Sequence, residues 1–80
     1  MVFVIVAIAI VNDSLMRTFA GDPDGGVRCL VGADTAAMPP TSRAWLAYAR
    51  GEALAAAGDS AGAVDALGEA IERAGAVRNP

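Results

Sequence analysis

Phe19-Ala20-Gly21-Asp22-Pro23-Asp24-Gly25-Gly26-Val27-Arg28-Cys29-Leu30-Val31-Gly32-Ala33 is the stretch that decides the fold. Shifted by 37 residues it falls on Ala56-Ala57-Gly58-Asp59-Ser60-Ala61-Gly62-Ala63-Val64-Asp65-Ala66-Leu67-Gly68-Glu69-Ala70. The matches are Ala20/Ala57, Gly21/Gly58, Asp22/Asp59, Gly25/Gly62, Val27/Val64, Leu30/Leu67 and Ala33/Ala70, with Ala37/Ala74 beyond. Alanine matches weigh little in an alanine-rich chain. The Gly-Asp pair, with Val and Leu following at equal offsets, carries the repeat. Each Gly-Asp is a stop and a start: glycine ends one helix, and the aspartate oxygen can accept from the free N–H groups of the next. Pro23 is preset for a first helical turn, and Asp24 places negative charge at the positive end of the helix dipole.

Outward from these junctions the chain reads as helices. Val27 to Ala37 has Val27, Leu30, Val31 and Asp34 at helical spacing, with Ala33 and Ala37 on a small face. Met38-Pro39-Pro40 stops it, and Thr41 or Ser42 can cap the next helix. Ala44 to Ala57 is built from Ala, Leu, Arg and Glu, all strong helix formers. Ala61 to Ala74 follows, with Val64, Leu67 and Ile71 as an i, i+3, i+7 apolar stripe, and Gly75 closes it.

The N-terminus is harder to read. Residues 1–11, MVFVIVAIAIV, are an unbroken apolar run. As a helix they reach only about half way across a bilayer core. Val2, Val4, Ile5, Val6, Ile8, Ile10 and Val11 are β-branched, so local propensity alone reads a buried strand, and only tertiary context could make it a helix. The run also has the length of a secretory h-region, with Thr18-Phe19-Ala20 before Gly21 resembling a cleavage site. Against export, no Lys or Arg precedes the run, and Asp13 and Arg17 stand where a signal stays neutral.

Composition narrows the chemistry. With 80 residues, 55% of them hydrophobic and 19% charged, the chain is one small domain over residues 1–80 and not a disordered tail. His is absent and Cys29 is the single thiol, which leaves no Ser-His-Asp or Cys-His catalysis, no intramolecular disulfide and no ordinary zinc site. A net charge of -3 and a pI near 4.5 argue against direct nucleic-acid binding. No cofactor, metal or enzymatic activity is expected. The run Asp22-Pro23-Asp24-Gly25 has a calcium-loop outline, but Pro23 and the missing downstream Glu spoil it, and capping explains both aspartates. Gly21, Gly25 and Gly26 have no Lys after them and form no phosphate cradle. Glu52, Glu69 and Glu72 read as solvated helix faces. Cys29 aligns with Ala66 and reads as a small packing residue.

A period in the thirties with two helices per unit is the mark of a helical-hairpin array. The second unit resembles the tetratricopeptide repeat. In that family small residues sit where the two helices of a hairpin press together, and a larger apolar residue packs between them. Gly51, Ala63 and Ala70 match the small positions, Leu67 the large one and Gly58 the turn. In the first unit Ser14, Gly26 and Ala33 fall on the small positions and Leu30 on the large one. The chain departs from the pattern where an aromatic is usual, having Leu54 and Arg17, and where the closing proline is replaced by Gly75 or arrives late as Pro39. The resemblance covers about residues 7–75. More narrowly, Ala44-Trp45-Leu46-Ala47-Tyr48-Ala49-Arg50-Gly51-Glu52-Ala53 followed by Gly58-Asp59 is similar to the helical-repeat region of large actinobacterial transcriptional regulators, the ATP-binding kind with LuxR-type or related DNA-binding ends. The chain has no P-loop and no basic reading helix, so those parts are not in it.

The resemblance implies that Trp45, Tyr48 and Glu52, at i, i+3 and i+7, line a concave surface that holds a peptide or partner helix. The plainer reading packs Trp45 and Tyr48 on the N-terminal hairpin as core. The peptide-carboxylate clamp of some family members needs Lys and Asn; Asn12 is present and Lys is not, so that activity is not carried over.

The expected fold is all-α: two antiparallel helix-turn-helix hairpins, tetratricopeptide-like, a piece of an α-solenoid, with units at about residues 3–38 and 42–75. The expected function is protein–protein interaction within a cytoplasmic transcriptional regulator, without catalysis. Two units are fewer than the roughly three such arrays need, so self-association or neighbouring repeats of a longer chain are expected, with the apolar N-terminus uncovered. The alternatives are a small exported or membrane-associated protein with residues 1–20 as targeting segment, and an α/β remnant with residues 2–11 as a strand.

Overall fold

A computed structural model describes residues 2–31 and 38–78, with side chains over 5–31 and 38–75. Four α-helices run in order: α1 Val2–Phe19, α2 Pro23–Val31, α3 Pro40–Ala56 and α4 Ser60–Arg78. The described residues contain no strand. The fold is all-α. The α1–α2 and α3–α4 turns are so short that each pair folds back on itself, and α3 packs on both α1 and α2.

The two Gly-Asp junctions have the same hydrogen bonds, residue for residue, 37 positions apart. Gly21 and Gly58 are left-handed, at φ +95° and +90°, where a Cβ would be strained. Gly21 N–H donates to Thr18 O (3.2 Å) and Asp22 N–H to Arg17 O (2.8 Å). Their counterparts are Gly58 N–H to Ala55 O (3.1 Å) and Asp59 N–H to Leu54 O (2.9 Å). These two bonds, one skipping back three residues and one five, satisfy the last carbonyls of α1 and α3. The aspartate then starts the next helix: Asp22 Oδ1 accepts from Gly25 N–H (3.0 Å), and Asp59 Oδ1 from Gly62 N–H (2.9 Å). Capping is therefore the role of both aspartates.

The apolar run at the start of the chain is helix, and the strand reading of residues 2–11 is overturned with it. A strand here has no partner strand among the described residues and would leave its backbone groups unpaired, whereas a helix pairs them within itself. The β-branched side chains cost up to about 0.7 kcal/mol each in propensity. Packing outweighs this, since Ala7, Val11, Ser14 and Thr18 form one buried face at i, i+4, i+7 and i+11. Among the described residues no helix is long and apolar enough to cross a membrane.

Two boundary readings and one packing reading are corrected. Neither Thr41 nor Ser42 caps α3: Pro39 is the N-cap, without a side-chain hydrogen bond, and Pro40 fills the first helical position where its fixed φ is already right. Gly75 does not close α4, which continues to Arg78, because Gly75 has no positive φ to break the helix. The apolar stripe of α4 is also displaced. Val64 and Ile71 are exposed, while the buried face is Ala63, Ala66 and Ala70. The continuation of α2 through Ala33, Asp34 and Ala37 lies outside the described residues.

The core accordingly consists largely of small residues. Ala7, Val11, Met38, Leu46 and Ala49 form its centre, with Ile10, Leu15 and Leu30 half-buried around them. Small side chains let the backbones approach closely, and several larger apolar side chains, Val64 and Ile71 among them, stay exposed.

Candidate protein-interaction surface

The close approach within each hairpin fixes how α3 is presented. A Cβ added at Gly51 of α3 would lie 2.6 Å from Leu67 Cγ and 2.7 Å from its Cδ2. Leu67 of α4 therefore rests on a bare stretch of α3 backbone, with Ala63 and Ala70 buried on either side of it. In the first hairpin Gly26 is the counterpart contact. A Cβ there would meet Thr18 Oγ1, Ser14 O at 2.9 Å and Ala53 Cβ at 3.4 Å, so α2 touches both α1 and α3 at one glycine. Ser14, fully buried, donates its hydroxyl to Gly26 O at 2.8 Å, and Thr18 Oγ1 donates to Ser14 O at 2.9 Å. Leu30 is half-buried against the core. Ala33, the remaining small position, lies outside the described residues.

With α3 held in this way, Trp45 and Tyr48 project from its remaining face. Trp45 is 56% exposed and Tyr48 38% exposed. Their rings meet edge to face, centroids 5.9 Å apart at 90°. That geometry is worth about 0.5–1.5 kcal/mol beyond burial and fixes both rings. On one side Trp45 borders a groove of about 500 Å³ between α1 and α3, lined by Ala7, Ile8, Val11, Asn12 and Leu15. On the other, Trp45 and Tyr48 border a shallower apolar groove of about 410 Å³ with Ala70, Ile71 and Ala74 of α4. Trp45 is thus a ridge between two grooves. Glu52, one turn beyond Tyr48, is half-buried and lines neither of these two.

Reading the sequence missed the α1 half of the first groove, although the signal was there: Ile8 falls on Trp45 under the 37-residue shift. It also missed a polar groove where Arg43, Arg50 and Arg73 meet Val27, Leu30 and Glu69 between α2, α3 and α4. Arg73 pairs with Glu69 at 3.1 Å.

One polar cluster crosses the first hairpin. The Cys29 thiol donates to Asp13 Oδ2 at 3.1 Å, and Arg17 Nε donates to Asp13 Oδ1 at 3.0 Å. The thiol hydrogen bond, then the Arg17 one, holds the Asp13 carboxyl below its usual range. The same carboxylate pushes the thiol up, with burial adding to it, which disfavours the thiolate. Among the described residues no three His, Cys, Asp or Glu side chains converge as a metal site would need.

The chain was compared with protein-family models, curated proteins and solved structures, and none of the three gives a match.

Proposed function

We propose that this chain is a protein-interaction module of tetratricopeptide-like hairpins, part of the helical repeat region of a larger transcriptional regulator, with no catalysis of its own. The observation that carries the reading is the Trp45 ridge: a tryptophan set perpendicular to the Tyr48 ring, more than half accessible, between two apolar grooves. Aromatic anchors beside water-excluding grooves are where binding energy concentrates at protein interfaces. An amphipathic helix or extended peptide, seating apolar side chains on either side of Trp45, is the occupant such a ridge fits. The bond-for-bond repetition of the two junctions and the Gly51–Leu67 contact support the hairpin-array reading. The likeness of residues 44–59 to the repeat region of large regulators supports the regulator. An exported protein losing residues 1–20 is less well supported, because Ala7, Val11, Ser14 and Thr18 would leave the core with them.

The test is selection of a displayed library of amphipathic helical peptides on the purified chain, followed by calorimetric titration of the enriched peptides against the parent chain and its variants, with the fluorescence of Trp45, the single tryptophan, followed in the parent chain. The expected result is a blue shift on binding and loss of binding in Trp45→Ala, with helical content preserved. Enriched peptides that bind Trp45→Ala and Tyr48→Ala as well as the parent chain would refute the ridge as the site, and a library that enriches nothing would refute the module.

A further inference from the structure

The 37-residue repeat relates not only the two junctions but two faces, and at each the halves differ in one respect: one is covered and the other bare. Ala7 and Val11 of α1 are 3% and 6% exposed, in one cluster with Leu46 and Ala49 of α3. Their counterparts 37 residues on are Ala44 and Tyr48. Among the described residues nothing covers that pair as α3 covers the first: Ala44 is half-buried, Tyr48 is exposed, and with Ile71, 74% exposed, they line the apolar groove of the α3–α4 end.

The same holds for the face that does the covering. On α3 it is Ser42, Leu46, Ala49 and Ala53, all buried. Counting back 37 residues gives Ile5, Ala9, Asn12 and Met16 on α1, all exposed. The chain therefore carries a bare inserting face at its α1 end and a bare receiving face at its α3–α4 end. The contact that would join them is already present once within the chain, where α3 sits on α1 and α2.

We infer that copies of this chain associate head to tail, the Ile5–Ala9–Asn12–Met16 face of one copy docking on the Tyr48–Ile71 surface of the next and continuing the α3-on-α1 interface from copy to copy. Both faces are on every copy, so no other protein is needed. Ala49 shares its cluster with Val11, so by the repeat Asn12 of the incoming copy falls in one cluster with Tyr48 of the next, both side chains able to hydrogen-bond. Such a contact is heterologous and does not close on itself, so the series grows with concentration rather than stopping at a dimer. It needs no peptide partner, but it shares the Tyr48–Ile71 groove with the Trp45 ridge, so a second copy and a peptide exclude each other there.

The test is sedimentation velocity over a wide concentration range on the full chain, Met16→Glu, Ile71→Glu and their equimolar mixture. Both substituted side chains are exposed, so circular dichroism should show unchanged helix. The parent chain is expected to grow past two copies without a plateau. Met16→Glu keeps the receiving face and Ile71→Glu keeps the inserting face, so each alone should be monomeric and the mixture should stop at a one-to-one dimer. A parent chain that stays monomeric, as when something other than a second copy meets these faces, overturns the inference. So does a discrete dimer that only one of the two variants disrupts, since that is a two-fold contact, and so does a mixture that fails to pair.

Discussion

Adding one methyl group at two glycines should give opposite results. Gly51 and Gly68 both lie inside helices, α3 and α4, and alanine at either gains about 0.8–1.0 kcal/mol of helix propensity. At Gly68 an added Cβ has nothing within 4 Å, so Gly68→Ala keeps the whole gain. At Gly51 the added Cβ would stand 2.6 Å from Leu67 Cγ and 2.7 Å from Cδ2, about 1 Å inside a normal carbon contact. The leucine cannot simply swing aside, because its own backbone N lies 3.4 Å from the same point and limits the retreat of α4. Overpacking of this kind costs about 1–3 kcal/mol, so the net effect of Gly51→Ala runs from about zero to 2 kcal/mol of destabilisation. The two variants should differ by about 1–3 kcal/mol. For a domain of this size 1 kcal/mol moves Tm by about 4–8 °C, so Gly68→Ala melts that much above the parent chain and Gly51→Ala at or below it. Thermal unfolding followed by far-UV circular dichroism at one matched concentration reads both. Gly51→Ala combined with Leu67→Ala should lose less than the sum of the single changes, since the overlap goes with the leucine. If Gly51→Ala is stabilised as much as Gly68→Ala, the hairpin does not depend on a bare backbone at Gly51.

Ser14→Val should cost about 2–4 kcal/mol, the lost hydroxyl bond to Gly26 O adding to overpacking at a fully buried position; chemical unfolding measures it, and a near-neutral result would mean α1 and α2 are further apart than described. The Cys29 thiol should alkylate slowly at mildly alkaline pH, and Asp13→Asn should speed it and move its pH profile down, because the carboxylate that raises the thiol pKa is gone; an unchanged profile would dissociate the two groups. The sign for stability follows from the same contact. A raised thiol pKa stabilises the fold below the ordinary thiol range, and the contribution is lost as pH rises through the raised value. The lowered Asp13 carboxyl contributes above the ordinary carboxylate range, and its share is lost as pH falls through the lowered value.

Reading from single residues succeeded where the physics was local and failed where neighbours decided. Gly21-Asp22 and Gly58-Asp59 announce their turns because a left-handed residue and a capping oxygen act within a few positions. Val64 and Ile71 misled because spacing shows that a helix has an apolar stripe, not which side of the stripe meets the partner. Here the partner helix comes so close that Ala63, Ala66 and Ala70 fill the contact and the larger side chains turn outward. Trp45 and Tyr48 were legible as one stripe of α3, yet whether that stripe is core or surface depended on where α1 runs.

The junctions, the 37-residue period and the lack of histidine and lysine follow from neighbouring residues or from composition alone. The tertiary structure decided the conformation of residues 2–11, where β-branched propensity points to a strand and packing on α2 and α3 makes a helix. It also decided which faces are covered. Burial is a relation between segments far apart in the chain, and that relation leaves Trp45 standing between two grooves and the two ends of the molecule with matching bare faces.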